Sequence, residues 1–530
     1  MEWSLSNPDL SLHNTVPKLF WYNVENYSDD ITTWWKQKGL WESVTWGQYG
    51  DWVRDIANAL LSAGIKQGDK VSILSQTRFE WVVMDIAIMS IGGVTAPVYH
   101  SNTEDQVHYI AEHSKAKLVF AEDQEQLDKL LEIRGKLPEI KQIIIFDKYQ
   151  PKDIPNVKSL LTFREEGIKY GKENPDDLVD KISKGDPEDL ISFIYTSGTT
   201  GHPKAGMINS RNVLAVVKHL KTMYGMTRED ISIAYLPLAH IAERDLGHFM
   251  KLYIGNETIF AESLEDMPAN LRQTGPTVMF GTPRVFEKFY ARIATGIKDA
   301  TSIQRILYKW ALKVGQLFVE TKDAGKSPSP FLWLKHKIAH FFIFRKIHDI
   351  FGGRIRFMIS GAAPISPNIV HFFHWIGLDI YEVYGMTETT GIISANMMGK
   401  VKIASVGQIF PDTEVKIADD GEILCRGPQN IQGYYDNDEA TAELLIKDEK
   451  NIEWLYTGDV GHIDEDGYLF ITDRKKDLII TAAGKNVAPQ NIENLLKTSP
   501  YVSQAMVYGD KKAYLTALIT LDEDEIAKFA

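Results

Sequence analysis

The sequence predicts an α/β protein, in which a large N-terminal region of stacked α/β layers is followed by a small β-rich subdomain. Three observations lead there. From Thr45 to Phe146, apolar residues switch repeatedly between helical and strand spacing. Between Leu190 and Gly206, a short apolar strand runs into a loop dense in glycine and hydroxyl side chains. From Gly407 onward the texture becomes short strands and turns, as in Gly421–Leu424 and Gly433–Tyr435. Strands that alternate with helices favour layered, largely parallel sheets.

The first amphipathic helix is expected after Thr45, with Tyr49, Trp52, Val53, Ile56 and Leu60 at helical spacing. Gly64 and Gly68-Asp69 stop it and lead into a strand over 71–74. A second helix through Trp81, Met84, Ile86 and Met89 ends at Gly92-Gly93. A strand over 94–99, a helix near 103–113 and strands over 117–120 and 142–146 complete this region. A helix over 212–224 follows the glycine-rich loop; 354–364 is read as a strand ending in a small-residue turn, and 380–384 as another strand.

At 530 residues the chain exceeds one ordinary core, so several subdomains are expected. A net charge of −13 argues against nucleic acid as the main partner. The one cysteine, Cys425, excludes an internal disulfide framework and fits a reducing compartment. No apolar run reaches the length of a spanning helix, and the N-terminus does not read as a signal peptide. A cytoplasmic protein is expected, with membrane association as the open alternative.

The loop itself reads Tyr195-Thr-Ser-Gly-Thr-Thr-Gly-His-Pro-Lys-Ala-Gly206. Gly198 and Gly201 let successive N–H groups turn inward as an anion nest; Thr196, Ser197, Thr199 and Thr200 add donors; Lys204 adds a point charge. This reads as a polyphosphate loop, yet not as the common P-loop. Pro203 precedes Lys204, and no hydroxyl residue follows it.

Residues 195–206 resemble the phosphate loop of the adenylate-forming (AMP-binding) superfamily. Its acyl-CoA synthetases, and among them the long-chain fatty acid–CoA ligases, are the members this sequence is most like. Ala205 stands where glycine is usual. The resemblance runs from about Trp41 to Pro489. Leu236-Pro-Leu-Ala-His-Ile-Ala-Glu-Arg244 is similar to the family's acyl-pocket motif, and Tyr384-Gly-Met-Thr-Glu388 to its Tyr-Gly-x-Thr-Glu motif. Tyr456-Thr-Gly-Asp459 and Asp473-Arg-Lys-Lys-Asp477 match the family pattern as well.

The resemblance implies residues 1–400 as α/β subdomains, 401–472 as the β-rich subdomain, 473–477 as a hinge and 478–530 as a small α+β C-terminal lobe, carried here only in part. His240, Thr387, Glu388 and Lys476 would be catalytic, with Lys476 the pivot of the hinge. Thr196, Ser197, Gly198, Thr199, Thr200, Gly201 and Lys204 would hold phosphates. The small-residue turn Gly361, Ala362 and Ala363 would border adenine; Glu382, Tyr384, Gly385 and Thr387 would complete the nucleotide site, and Asp459 with Arg474 would hold ribose. Thr196 and Glu388 would bind Mg²⁺, since a carboxylate is a hard oxygen ligand. ATP, Mg²⁺ and coenzyme A are implied, with a fatty acid or other carboxylate as substrate. Transfer to a carrier protein, and a non-catalytic acyl-nucleotide binding protein, remain as alternatives.

Two departures shape further expectations. The family's terminal lysine has no match before Ala530, so slow adenylation by this chain is expected. Between Thr301 and Phe351 lies an aromatic and basic stretch. It is read as two core helices whose lysines reach water along their stems. An interfacial patch meeting bilayers is the alternative.

Overall fold

The computed structural model describes residues 11–147, 154–196, 201–482, 486–499, 501–523 and 526–527. The chain forms two compact units that interleave along the sequence. The first takes Met1–Met267, Thr387–Gly391 and Pro428–Leu445; the second takes Pro268–Met386, Ile392–Gly427 and Ile446–Ala530.

The first unit is built on a seven-stranded sheet. Its order is Val157–Ser159, Gln142–Ile145, Leu118–Ala121, Lys70–Leu74, Val94–Val98, Leu190–Thr196 and Lys204–Asn209. All neighbours are parallel except the last two strands, which form an antiparallel hairpin. Leu74, Val98, Val119, Ile143 and Phe193 meet in one buried cluster. The helices arise where the spacing predicts them, at Trp46–Ser62, Phe79–Ser90 and Glu104–His113. Thr45 and Thr103 each close a capping box with a glutamine three residues on, satisfying two otherwise orphaned donors.

Sequence patterning missed several elements of this unit. A helix at Val16–Asn26, a hairpin at Ile31–Gln37 and Leu40–Thr45, and helices at Leu160–Glu173 and Asp177–Lys184 were not anticipated. Nor was the strand Lys204–Asn209, because Lys-Ala-Gly-Met-Ile-Asn lacks a period-two pattern. The loop predicted to bind phosphate therefore connects the two strands of a β-hairpin.

In the second unit, Val278–Gly281, Phe357–Ser360 and Ile380–Met386 run parallel. Glu414–Ile417, Glu422–Arg426, Glu453–Ile463 and Leu469–Arg474 make the antiparallel β-rich part. Toward the C-terminus, helix Pro489–Lys497 packs on the antiparallel pair Val502–Tyr508 and Thr516–Leu521; Glu493 accepts the Val507 N–H at 2.7 Å.

The aromatic and basic stretch corrects the reading of two core helices. Helices form at Ser302–Asp323 and Pro330–Ala339, but large apolar side chains on both lie in solvent, Phe331 and Ile303 being 66% and 71% exposed. Apolar spacing marks a helix face without stating what covers it. Among the described residues, no helix is long and apolar enough to cross a membrane.

Candidate functional site

In the first unit the hairpin over residues 190–209 positions the two ends of the predicted phosphate loop. Thr196 and Lys204 are register partners at the base of the loop, on strands Leu190–Thr196 and Lys204–Asn209. Ser197, Gly198, Thr199 and Thr200 lie outside the described residues. On the descending arm Gly201 has φ +130°, a conformation that L side chains rarely adopt. Tyr109 secures that arm: its hydroxyl donates to the Pro203 carbonyl at 2.9 Å, and its ring stacks on His202 at 4.4 Å.

A third backbone segment zips onto the hairpin. Met207 N–H donates to Gly433 O at 3.1 Å, and Tyr435 N–H to Ala205 O at 2.9 Å. Gly433 has φ +133°, and a Cβ there would come within 2.5 Å of the Thr441 side chain, so only glycine fits. This places Tyr434 between two predicted site residues. Its hydroxyl donates to Glu388 Oε1 at 2.5 Å, and Lys204 Nζ lies 5.2 Å from its ring centroid. Burial, together with the Glu388 charge, raises the phenol's pKa, so it stays a donor.

Glu388 is buried in the short turn Thr387–Thr389, and Thr387 is half-buried. The Glu388 carbonyl accepts from Ile431 N–H at 3.0 Å, which fixes the turn. With one oxygen taken by a phenol, this carboxylate can offer the other to a hard cation. Mg²⁺ commonly binds one or two carboxylates plus substrate phosphates and water, and the donor set fits such sharing. Among the described residues, no group of three His, Cys, Asp or Glu could hold a metal by itself.

His240 caps the short helix Ile241–Glu243. Its Nδ1 accepts the Ala242 N–H at 3.1 Å, so the ring proton sits on Nε2 as a potential donor. Burial lowers its pKa and keeps the ring neutral. Thr77 holds the segment before it, donating to Leu236 O at 2.6 Å and accepting from Leu238 N–H at 3.0 Å.

Beneath that segment lies a network that motif reading did not reveal. Arg244 is fully buried, contacts Ser192 Oγ and donates to both oxygens of Asp85 at 2.5 and 2.6 Å. Burial would raise the Asp85 pKa, but the Arg244 charge and His248 outweigh it and hold the carboxyl below its ordinary value. The signal was available: Asp85 is the one charge in Trp-Val-Val-Met-Asp-Ile-Ala-Ile-Met, and a buried charge needs a partner.

In the second unit, Tyr384 donates to Asp459 Oδ2 at 2.6 Å, and Arg474 Nε lies 3.7 Å from Asp459 Oδ1. Asp459 and Arg474 are register partners on adjacent strands. Burial raises the Asp459 pKa, opposed by the Tyr384 hydrogen bond and the Arg474 charge. Gly361 abuts Val383, since a Cβ there would lie 2.8 Å from Val383 Cγ2. Ala362 has φ +67°, a strained conformation for a side chain, and Ala362 and Ala363 are exposed. Gly385 is half-buried.

Glu382 turns elsewhere: its buried carboxyl accepts the Ala404 N–H, and burial pushes its pKa up to about 8. Lys476 is exposed. Its neighbour Lys475 pairs with Asp420 at 2.6 Å and Glu422 at 2.7 Å, anchoring that segment to the β-rich part.

The pattern that defines the AMP-binding enzyme family matches residues 20–435, and that of the AMP-binding enzyme C-terminal domain matches 476–529. The long-chain-fatty-acid–CoA ligase FadD15 of Mycobacterium tuberculosis is 34% identical over 489 residues, covering 92% of this chain and 78% of that relative. The long-chain-fatty-acid–CoA ligase ACSBG2 of Xenopus laevis is 34% identical over 523 residues, 96% of this chain and 69% of its own length. Among solved structures, the anthranilate CoA ligase AuaEII in complex with anthranoyl-AMP superposes with a TM-score of 0.76 at 19% identity, covering 98% of this chain and 90% of that one. The adenylation domain of a Mycobacterium chelonae carboxylate reductase gives 0.75 at 21%, covering 99% and 81%. These two show the fold alone. The family match over most of the chain and the identity to these relatives establish that this chain belongs to the AMP-binding enzyme family, with its large α/β part and small C-terminal domain.

Proposed function

We propose that this chain is an ATP-dependent long-chain fatty acid–CoA ligase. The observation that carries the reading is the set Lys204, Tyr434 and Glu388, a cation and a buried carboxylate held against one phenol at the base of a phosphate hairpin. The acyl class rests on the relatives named long-chain-fatty-acid–CoA ligase.

In the first half-reaction a fatty acid carboxylate oxygen forms a bond to the ATP α-phosphorus, and the bond to pyrophosphate breaks. In the second, the CoA sulfur bonds to the acyl carbon, AMP leaves, and the thiol proton passes to solvent. Lys204 and the hairpin N–H groups would neutralise phosphate charge, and Thr387 would donate to the α-phosphate. His240, proton on Nε2, would donate to a substrate oxygen. Glu388 and Thr196 would hold Mg²⁺, which when bound offsets charge on the phosphate oxygens. Asp459 and Arg474 would take the ribose hydroxyls, Tyr384 fixing the carboxylate that accepts from them. The small turn at Gly361–Ala363, exposed at Ala362 and Ala363, would admit a flat base, and Lys476 would serve as the hinge pivot.

The test is release of pyrophosphate and AMP from palmitate and ATP, with and without CoA. CoA-dependent AMP release supports the proposal. Pyrophosphate release with acyl-AMP trapped by hydroxylamine, unchanged by CoA, favours transfer to another acceptor. Nucleotide binding without pyrophosphate release, even at high enzyme concentration and long incubation, favours the non-catalytic nucleotide-binding reading.

A further inference from the structure

The helical hairpin over residues 302–348 lies outside the site just described, and it carries an excess of cations. Residues 301–351 hold nine lysines and arginines against three carboxylates, within a protein whose net charge is −13. The helices Ser302–Asp323 and Pro330–Ala339 pack together through Phe318 stacked on His336 at 4.0 Å. Their inner positions are buried, including Tyr308, Ala311, Val314 and Ala339.

A second apolar stripe faces away from that core. On the first helix Ile303, Ile306, Leu307, Trp310 and Leu317 are exposed, and at 100° per residue they fall within an arc of about 100°. On the second, Phe331, Leu334 and Ile338 repeat at i, i+3 and i+7, and all are exposed. The helix then takes a π turn at His340–Phe344, where Phe341 and Phe342 are 61% and 60% exposed while Phe344 is fully buried.

The cations are seated on these rings. Lys335 Nζ lies 4.3 Å from the Phe331 centroid, and Lys337 Nζ lies 4.0 Å from that of Trp333. Exposed aromatic and aliphatic side chains flanked by lysines suit the boundary between acyl chains and headgroups.

We infer that this hairpin docks the protein on an anionic lipid bilayer, with the aromatic stripe at the acyl–headgroup boundary and the lysines against lipid phosphates. Charge selects that occupant over a second copy of the chain. A twofold contact through this face would set its excess of cations against itself, whereas an anionic leaflet complements it. The inference rests on the hairpin's side chains and not on the assignment of the reaction.

The test is co-sedimentation of the full chain, without nucleotide, on vesicles of phosphatidylcholine alone or with 30 mol % phosphatidylglycerol (roughly the charge density that draws basic segments). Binding should need the anionic lipid and weaken with salt. A quadruple variant, Lys309→Glu, Lys313→Glu, Lys335→Glu and Lys337→Glu, should lose binding by at least about tenfold. Separately, Phe331→Ser with Phe341→Ser should lose it at unchanged charge. Both variants alter exposed side chains, and AMP binding reports that they are folded. The inference is overturned if the unmodified chain ignores phosphatidylglycerol, if either variant binds vesicles as it does, or if sedimentation equilibrium shows a dimer that these substitutions dissolve while vesicles stay unbound.

Discussion

Two buried carboxylates in this chain each receive a short phenol hydrogen bond, and they differ in what balances their charge. Glu388 and Asp459 are 7% and 8% exposed, and their tyrosine partners sit at 2.5 and 2.6 Å. Asp459 has Arg474 directly beside its second oxygen. Among the described residues, Glu388 has a cation only across the Tyr434 ring, at Lys204. A carboxylate balanced by the protein is suited to neutral hydroxyls such as those of ribose. One without a cation in direct contact is suited to recruiting a cation of its own. Under the proposed function, the two pairs share a geometry and would divide the chemistry.

That division can be broken experimentally. Glu388→Gln keeps the shape and removes the charge, and should lower the rate of adenylation by roughly a hundred- to a thousandfold, the size found for losing one preorganised charge contact. A magnesium titration of the rate checks it, and unchanged magnesium dependence would remove Glu388 from the cation site. Asp459→Ala should weaken AMP by at least about tenfold by calorimetry, since charge-assisted hydrogen bonds contribute about 1.5–3 kcal/mol each. Equal affinity would reduce Asp459 to a turn residue.

The tyrosines sharpen the contrast. Tyr434→Phe leaves the Lys204–ring contact but strips Glu388 of a donor, and should cost roughly tenfold in kcat/KM. Tyr384→Phe should cost only about threefold in AMP affinity, because Arg474 still supports Asp459. A larger effect at Tyr384 would invert the comparison. The smallest effect is in pH. Burial holds the Asp459 pKa above its usual value, so AMP affinity should fall as pH drops through that raised pKa. Tyr384 donates to the charged form and opposes the rise. Its removal should move the acid limb of AMP binding to higher pH, read from calorimetry in a pH series.

How much of this was legible in the sequence depends on how local the cause is. Helix and strand periodicity located Trp46–Ser62, Phe79–Ser90 and Lys70–Leu74 because spacing and caps act within one element. The loop motif marked Thr196 and Lys204, yet not the hairpin that pairs them, since that pairing spans a strand with no periodic pattern. Tyr434 escaped because its partner Glu388 is 46 residues away and Gly433-Tyr-Tyr reads as an ordinary turn. The helices over 302–339 were seen as helices, but burial is a property of the whole fold, and their stripe was assigned to a core that does not cover it. Asp85 and Arg244 could have been paired by asking what a lone carboxylate in an apolar helix must meet.

The backbone segment at 433–435 that closes the phosphate hairpin also sets an order of events during synthesis. Residues 190–209 leave the ribosome with one edge of the hairpin unpaired, and the chain that covers it arrives only after most of the second unit has been made. At 5–20 residues per second this interval is on the order of 10 to 50 s. For that time the nascent first unit carries an open strand edge, the kind of edge on which other strands can dock. A chain arrested before Tyr434 would hold a phosphate loop without the phenol that joins Lys204 to Glu388. The set of Lys204, Tyr434 and Glu388 is therefore completed late, when a distant segment returns.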